Sequence, residues 1–232
     1  MKVRIRFSKH GALVYIGHLD VMRYFQKLFR RADIPVKYSE GFSPHQILSF
    51  TPPLPLGMES FGEYADVELT QSVPTKKALA VLRKKSVPEI EIMSFRQLPD
   101  GCENAMASVK AASYSFIYDD KAQNDAVKDA VTAFLDKSEL NILKKTKKNE
   151  RIINIRPLVY DLTVDTDAAK IDMTISSGSL DNIKPELVLD CLIQNCGLDS
   201  TILTGSRTVR LDQFTDAGGK LISLDEAGED II

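Results

Sequence analysis

The segment Val3-Arg-Ile-Arg-Phe7 alternates apolar and basic residues, and it is followed by His18-Leu-Asp-Val-Met-Arg-Tyr-Phe-Gln-Lys-Leu-Phe-Arg-Arg-Ala32. Alternation with a period of two is typical of a half-buried strand. The apolar residues of the second segment recur at helical spacing, as Leu19, Met22, Phe25, Leu28 and Phe29. This spacing predicts an amphipathic helix, so the chain begins with a strand and then a helix.

The next elements complete one supersecondary unit. Strand patterns occupy residues 34–38, 64–69 and 89–95, and a helical pattern follows Pro74. The resulting order, β-α-β-β-α-β, is the ferredoxin-like arrangement.

The same order restarts in the second half. Strands are predicted over residues 114–118, 159–164, 171–175 and 208–214, helices over 126–135 and 185–194, and an added hairpin over 140–144 and 152–155. Gly197 is expected to end the second helix. We therefore predict an α+β fold of two tandem ferredoxin-like (βαββαβ) halves with antiparallel sheets. The expected boundaries are domains over 1–98 and 113–215, a linker over 99–112 and a flexible acidic tail over 216–232.

Composition narrows the possible classes of protein. The 232 residues are 44% apolar and carry a formal net charge of −2, which excludes a uniformly basic nucleic-acid coat protein. The first residues alternate instead of forming an apolar run, so we expect no signal peptide, no membrane partner and a cytoplasmic location. Cys102, Cys191 and Cys196 form no CxxC pair. Buried thiols are expected of them, with no cofactor and no metal site in this chain.

Residues 10–57 hold the most distinctive chemistry. All three histidines, His10, His18 and His45, lie there. His18 falls at the predicted helix start, where it could meet a bound anion, or where His18 or Asp20 could simply cap the helix. Residues 39–57 are rich in glycine and proline, which indicates either a binding loop or a proline-rich connection packed over the sheet.

Two basic segments, residues 23–37 and 144–156, suggest contact with a nucleic acid, as does the loop between the first helix and strand 64–69. A solvated helix face and a solvated hairpin tip would have the same composition. The candidate RNA-binding residues are Arg23, Lys27, Arg30, Arg31, Lys37, Phe42, Ser43, His45, Lys144, Lys145, Lys147, Lys148, Arg151 and Arg156.

A third candidate site precedes the helix over residues 185–194. Ser177, Gly178 and Ser179 form a small-residue loop whose backbone N–H groups could hold an anion. Ordinary capping by Asn182, with Pro185 in the first turn, is the alternative.

These motifs resemble the radical-SAM-linked protein family, bacterial proteins encoded beside or fused to a radical S-adenosylmethionine enzyme. The shared marks are Gly17-His18-Leu19-Asp20, Pro35-Val36 with Gly41-Phe42-Ser43-Pro44-His45, Leu54-Pro55-Leu56-Gly57, Ile155-Arg156-Pro157-Leu158, and Ser176-Ser-Gly-Ser179 with Lys184-Pro185-Glu186. The resemblance implies a partner enzyme, on a separate chain, that carries the iron–sulfur cluster.

The architecture is also similar to that of the CRISPR repeat-processing endoribonucleases, which are tandem ferredoxin-like proteins. That likeness implies His18 or His45 as general acid or base, with Lys37 or Tyr15 stabilising charge. Three hypotheses follow. The first is an RNA-binding or substrate-presenting accessory partner of a radical SAM enzyme that modifies tRNA or rRNA. The second is a metal-independent endoribonuclease, and the third is a scaffold that docks the enzyme without touching RNA.

Overall fold

A computed structural model describes residues 1–145, 150–178 and 182–232, with the side chain of Lys145 excepted. The chain has a mixed α+β architecture with antiparallel strand pairing. It divides into two compact units. The first comprises Met1–Lys110 together with Asp212–Ile232, and the second comprises Ala111–Leu211.

The first unit is a sheet with two long helices in its connections. Its elements are β1 (Lys2–Lys9), α1 (His18–Arg31), β2 (Leu48–Phe50), β3 (Glu59–Glu68), α2 (Thr75–Lys85), β4 (Ile92–Gln97) and the short α3 (Ala105–Ser108). The strands run in the order β4-β1-β3, and β2 pairs with β3 as well. All of these pairs are antiparallel.

The core of the first unit forms where α1 lies against the sheet. Val21, Phe25, Leu28 and Phe29 of α1 are buried and lie on one face of the helix. Of the predicted apolar face, Leu19 is wrong, since it is 65% exposed, and Met22 is only partly buried. The Phe25 ring packs 4.6 Å from the Phe7 ring and 5.5 Å from the Phe50 ring, measured between centroids. Burial of one such side chain stabilises the fold by about 1.5–3 kcal/mol.

The strand predicted over residues 34–38 is wrong. Val36 and Tyr38 form only isolated bridges, with Leu69 and Gln46, and the second strand is β2. Pro35 has no amide hydrogen to give to a neighbouring strand. The Val36 amide turns back to the Ile34 carbonyl at 2.8 Å, so regular pairing starts only after the loop.

The second unit contains β5 (Ala111–Ile117), α4 (Asn124–Asp136), β6 (Asn141–Lys145), β7 (Glu150–Asn154), β8 (Val159–Asp165), β9 (Lys170–Ser176), α5 (Pro185–Cys196) and the first half of β10 (Arg207–Asp216). Its strand order is β10-β5-β9-β8, and β6 and β7 form the predicted hairpin as a separate pair. Gly197 ends α5 at φ 79°, as expected. Capping by Asn182 is wrong, because Lys184 is the N-cap residue and makes no side-chain cap bond.

The expected tail and residues 99–110 of the expected linker belong to the first unit, whereas Ala111 and Ala112 begin β5 of the second unit. Residues 99–112 contain α3, and Val109 is buried with Tyr64 and Leu224. We expected residues 216–232 to fray, but β11 (Leu221–Ser223) pairs with the end of β10. Their acidic, glycine-containing composition suggested disorder, whereas Leu224 is an apolar anchor that is completely buried.

Candidate functional site

Helix α1 presents a cationic face opposite its buried face. The exposed cations Arg23, Lys27, Arg30 and Arg31 follow the buried positions 21, 25, 28 and 29 by two residues. Two residues turn an α-helix by about 200°, so the cations lie on the side away from the core. Arg31 also lies over the Tyr24 ring and donates to the Lys85 carbonyl at 3.5 Å, which joins α1 to the basic end of α2.

A cleft opens between α1 and the loop that follows it, and we call it the α1–loop cleft. It is lined by Gln26 and Arg30 of α1 and by Tyr38, Pro44, His45 and Gln46 of the loop, and it encloses about 190 Å³. The Gln46 amide nitrogen donates to the Gln26 carbonyl at 3.3 Å and to the Tyr38 hydroxyl at 3.2 Å. One buried side chain therefore fastens the loop to the helix.

The tip of this loop is closed by polar contacts. Ser39 Oγ and His45 Nδ1 share a hydrogen bond at 2.9 Å, and the His45 amide donates to the same hydroxyl at 3.1 Å. Gly41 lies between them at φ 105°, a conformation that glycine adopts without strain. Phe42 next to it is fully exposed, so the loop presents an aromatic ring to solvent.

A second, smaller pocket lies at the start of α1. Lys9, His18 and Glu63 line it together with Phe7, Val21, Phe50, Thr51 and Leu54, around a cavity of about 20 Å³. Space of that size holds roughly one water molecule. Lys9 is buried and its Nζ donates to the carbonyls of Ile16 at 3.0 Å and Val14 at 3.4 Å. Ser60 Oγ donates to Glu63 Oε1 at 2.7 Å.

Burial controls the protonation of this Lys9–His18–Glu63 pocket. Desolvation lowers the pKa of His18, with a further lowering by the Lys9 charge and an opposing effect of Glu63. Desolvation also lowers the pKa of Lys9, again against the attraction of Glu63. These effects favour the neutral imidazole, which can accept a proton as a general base.

The residues of both sites lie in a part of the chain that matches one protein family. A family described as an uncharacterized protein conserved in bacteria (DUF2344) matches residues 2–185. The chain belongs to this family. No curated protein matches it. The DUF2344 match includes α1, the α1–loop cleft and the Lys9–His18–Glu63 pocket.

The four residues considered for catalysis in this DUF2344 chain lie in different surroundings. His18 lines the small pocket, whereas His45 lines the α1–loop cleft. Tyr15 is 75% exposed on the short 3-10 helix Gly11–Tyr15, and Lys37 is paired with Glu68 at 3.3 Å. Neither His18 nor Asp20 caps α1, because Gly17 is the N-cap residue and makes no side-chain bond.

Sequence patterns missed four residues of these sites in the DUF2344 chain: Lys9 and Glu63 in the pocket, and Tyr38 and Gln46 in the cleft. Glu63 lies in a strand far from the histidines in sequence, and only the β1–β3 register, with Phe7 opposite it, brings it to them. Lys9 and Tyr38 lie near the histidines in sequence, and that proximity is the signal that could have assigned them a role.

The other two candidate segments belong to the second unit. Lys144 donates to the Asn182 carbonyl at 2.6 Å, Arg156 lies 5.9 Å from the Phe134 ring centroid, and Arg151 is exposed. The Lys145 side chain and all of Lys147, Lys148 and Ser179 lie outside the described residues. Of the small-residue loop, Ser177 is buried and Gly178 partly buried.

Within residues 1–145, 150–178 and 182–232, no three His, Cys, Asp or Glu side chains are grouped as metal ligands. In the same ranges, no helix has the length and apolar character needed to cross a membrane.

Proposed function

We propose that this protein binds RNA and presents it to a separate radical SAM enzyme that modifies tRNA or rRNA in the cytoplasm. The observation that carries the proposal is the exposed cationic face of α1 beside the α1–loop cleft. Arginine and lysine on one face neutralise successive phosphates, and an adjacent aromatic loop gives bases a surface on which to stack.

The proposal includes a finer description of the fold, two tandem ferredoxin-like halves. In the first unit the order β4-β1-β3 with β2 on β3, and helices after β1 and β3, supports it. In the second unit the order β10-β5-β9-β8, with α4 and α5 in the equivalent connections, supports it again. The hairpin β6–β7 is then an insertion in the second half.

A titration tests RNA binding and locates it. We expect fluorescein-labelled tRNA to bind with an affinity that falls steeply with salt concentration, by about 0.7–0.9 logarithmic units per logarithmic unit of salt for each phosphate neutralised. The variant Arg23→Gln/Lys27→Gln/Arg30→Gln should bind more weakly and with a smaller salt slope.

The matched control removes the same charge elsewhere. Lys76, Lys77 and Lys128 are exposed cations of α2 and α4, and their joint replacement by glutamine also changes the net charge by three. This control should retain the wild-type salt slope. Absence of salt-dependent binding by the wild-type protein would overturn the proposal, and an equal loss in both variants would remove α1 as the binding surface.

A second candidate function is an endoribonuclease that uses a histidine as general acid or base. The observation that favours it is the Lys9–His18–Glu63 pocket, where a neutral imidazole adjoins a buried ammonium and a buried carboxylate. A cavity of about 20 Å³ does not admit a nucleotide, so this function requires the pocket to open. RNA incubated with wild type should be cleaved, and His18→Gln should abolish cleavage while His45→Ala retains it.

The scaffold hypothesis is separated from both by co-purification. If alanine substitution over residues 42–46 releases a radical SAM enzyme while RNA binding persists, the loop docks the enzyme. If both are lost together, the loop presents RNA to it.

A further inference from the structure

We infer that the α1–loop cleft accepts a single unpaired nucleobase of the RNA, between Tyr38 and His45. This inference rests on the proposed function and adds the class of ligand: single-stranded RNA, with one base removed from the stack. Neither residue of this pair is used by the cationic face described above, and Tyr38 carries no role in the sequence-based prediction.

The aromatic walls of the cleft are fixed before any ligand arrives. The Tyr38 hydroxyl is held by Gln46 Nε2 at 3.2 Å, and the His45 ring is held by Ser39 Oγ at 2.9 Å. Their flanking backbone is joined by the Tyr38↔Gln46 bridge, and the Ser39 amide donates to the His45 carbonyl at 2.8 Å. Side chains already ordered in this way lose little further freedom when a base stacks on them.

The size of the cleft fits one base. Its volume of about 190 Å³ is many times the roughly 10–15 Å³ that one water molecule needs, so the cleft has room for one planar ring system. The bases of a duplex stay paired and stacked, so a duplex would contact only the rim, whereas an unpaired base can enter.

Polar groups in the cleft suit the edge of a base. Arg30 donates from Nε to the Gln26 carbonyl at 3.3 Å, and a guanidinium has further N–H groups for a base acceptor or the attached phosphate. Gln46 Oε1 is buried, closed to solvent and without a hydrogen-bond partner among the described residues. An unpaired buried acceptor is unfavourable, so an N–H donor of an entering base that reaches Gln46 Oε1 would be favoured.

Charge selects RNA over a protein segment as the ligand. Arg30 belongs both to the cleft and to the cationic face of α1, so a chain leaving the cleft along α1 next meets Lys27 and Arg23. A regular series of cations suits the evenly spaced phosphates of RNA, and stacking on an aromatic wall suits any base. Sequence preference at this position should accordingly be weak.

The test compares a short fluorescein-labelled single-stranded RNA with the blunt duplex of the same sequence, at one salt concentration. We expect the single strand to bind about tenfold more tightly than the duplex, the effect of stacking one base. Tyr38→Ala should remove that preference, and Tyr38→Phe, which keeps the ring, should retain most of it. Tyr160→Ala is the control, because Tyr160 is a similarly exposed tyrosine in the second unit. Circular dichroism melts confirm that each variant is folded.

The outcomes separate this inference from the proposed function. Absence of binding to either RNA overturns the proposed function itself. Equal binding of single strand and duplex leaves RNA binding in place and overturns the base pocket. Retention of the preference in Tyr38→Ala overturns the pocket as well. The base pocket is also overturned if the Tyr38→Ala variant binds RNA normally but no longer co-purifies with a protein partner. In that case the cleft would dock a protein.

Discussion

Arg4 and Asp66 face each other across β1 and β3, and the Arg4 guanidinium donates to both carboxylate oxygens, from Nε at 2.7 Å and from Nη2 at 2.9 Å. Both side chains are almost completely buried, at 1% and 3% exposure. Nη2 also donates to Ser108 Oγ at 3.0 Å, so the pair connects the sheet to α3. A buried pair of this kind is costly to break on one side only.

Removal of one partner should therefore unfold the first unit readily. We expect Asp66→Ala to lower the free energy of unfolding by about 3–5 kcal/mol, because Arg4 is left charged and buried. The double variant Arg4→Met/Asp66→Leu should lower the free energy of unfolding much less, because it leaves no unpaired buried charge. Urea denaturation followed by circular dichroism measures both, and a smaller loss in the single variant than in the double variant would contradict this account.

The lowered pKa of His18 should make the stability of the fold depend on pH. Its folded-state pKa lies below the ordinary value of 6.5, so the protein binds fewer protons than the unfolded chain as pH falls through that value. The stability contributed by neutral His18 is present above the unfolded pKa and is lost as pH falls toward the folded pKa.

Two substitutions should move that pKa in opposite directions. Lys9→Met removes a positive neighbour and should raise the His18 pKa, whereas Glu63→Gln removes a negative neighbour and should lower it further. NMR titration of the imidazole signals measures the shift, and His18→Gln identifies the resonance. A shift of the same sign in both variants would show that repacking, and not charge, controls the imidazole.

Replacement by alanine should cost more stability at Gly197 than at Gly17. The backbone of Gly197 has φ 79° at the end of α5, so Gly197→Ala is strained although no atom lies within 4 Å of the added Cβ. We expect it to cost about 1 kcal/mol of stability. Gly17 has φ −74° and the new Cβ would be 3.8 Å from Asp20 Oδ2, an ordinary contact, so Gly17→Ala adds no strain. It should cost about 0.5 kcal/mol, the difference between glycine and alanine at an N-cap. Thermal melts of the two variants give the comparison, and equal costs would argue against strain at Gly197.

The three thiols should react at different rates with iodoacetamide. Burial, and then the neighbouring Cys196, raise the pKa of the Cys191 thiol to about 12, while Lys137 opposes the shift. The pKa of Cys196 is also raised by burial. At pH 8 we expect partly exposed Cys102 to be alkylated first and Cys191 only after denaturation, as followed by peptide mass mapping. Early labelling of Cys191 in the folded protein would refute this order.

The spacing of apolar residues along the chain was enough to predict elements that bury one face. The spacing of apolar residues located β1, α1 and α2, because one face of each must be buried. The same approach placed a strand at Ile34 and Val36, whose β-branched side chains favour extended structure, and overlooked Leu48–Phe50 in a proline-rich stretch. Strand pairing is decided by distant partners and available amides, which composition does not reveal.

The candidate sites were predictable only in part for the same reason. The histidines and basic residues drew attention to α1 and its loop, and Arg30 and His45 do line one cleft. The role of Gln46 depends on two contacts, with Gln26 and Tyr38, that exist only after the loop closes on the helix. Polar residues acquire such roles through tertiary position, whereas apolar periodicity is visible in the chain itself.

The first unit consists of Met1–Lys110 and the distant segment Asp212–Ile232, and this division sets an order of events during translation. Met1–Lys110 are synthesised long before Asp212, whose carboxylate accepts a hydrogen bond from the Tyr64 hydroxyl. They also precede Ile231, whose carbonyl accepts a hydrogen bond from the Thr75 amide. The second unit is contiguous and is fully synthesised earlier. The unit that contains Met1–Lys110 is thus completed after the second unit, and Tyr64 and Val109 lack their contact with Leu224 until that residue is synthesised.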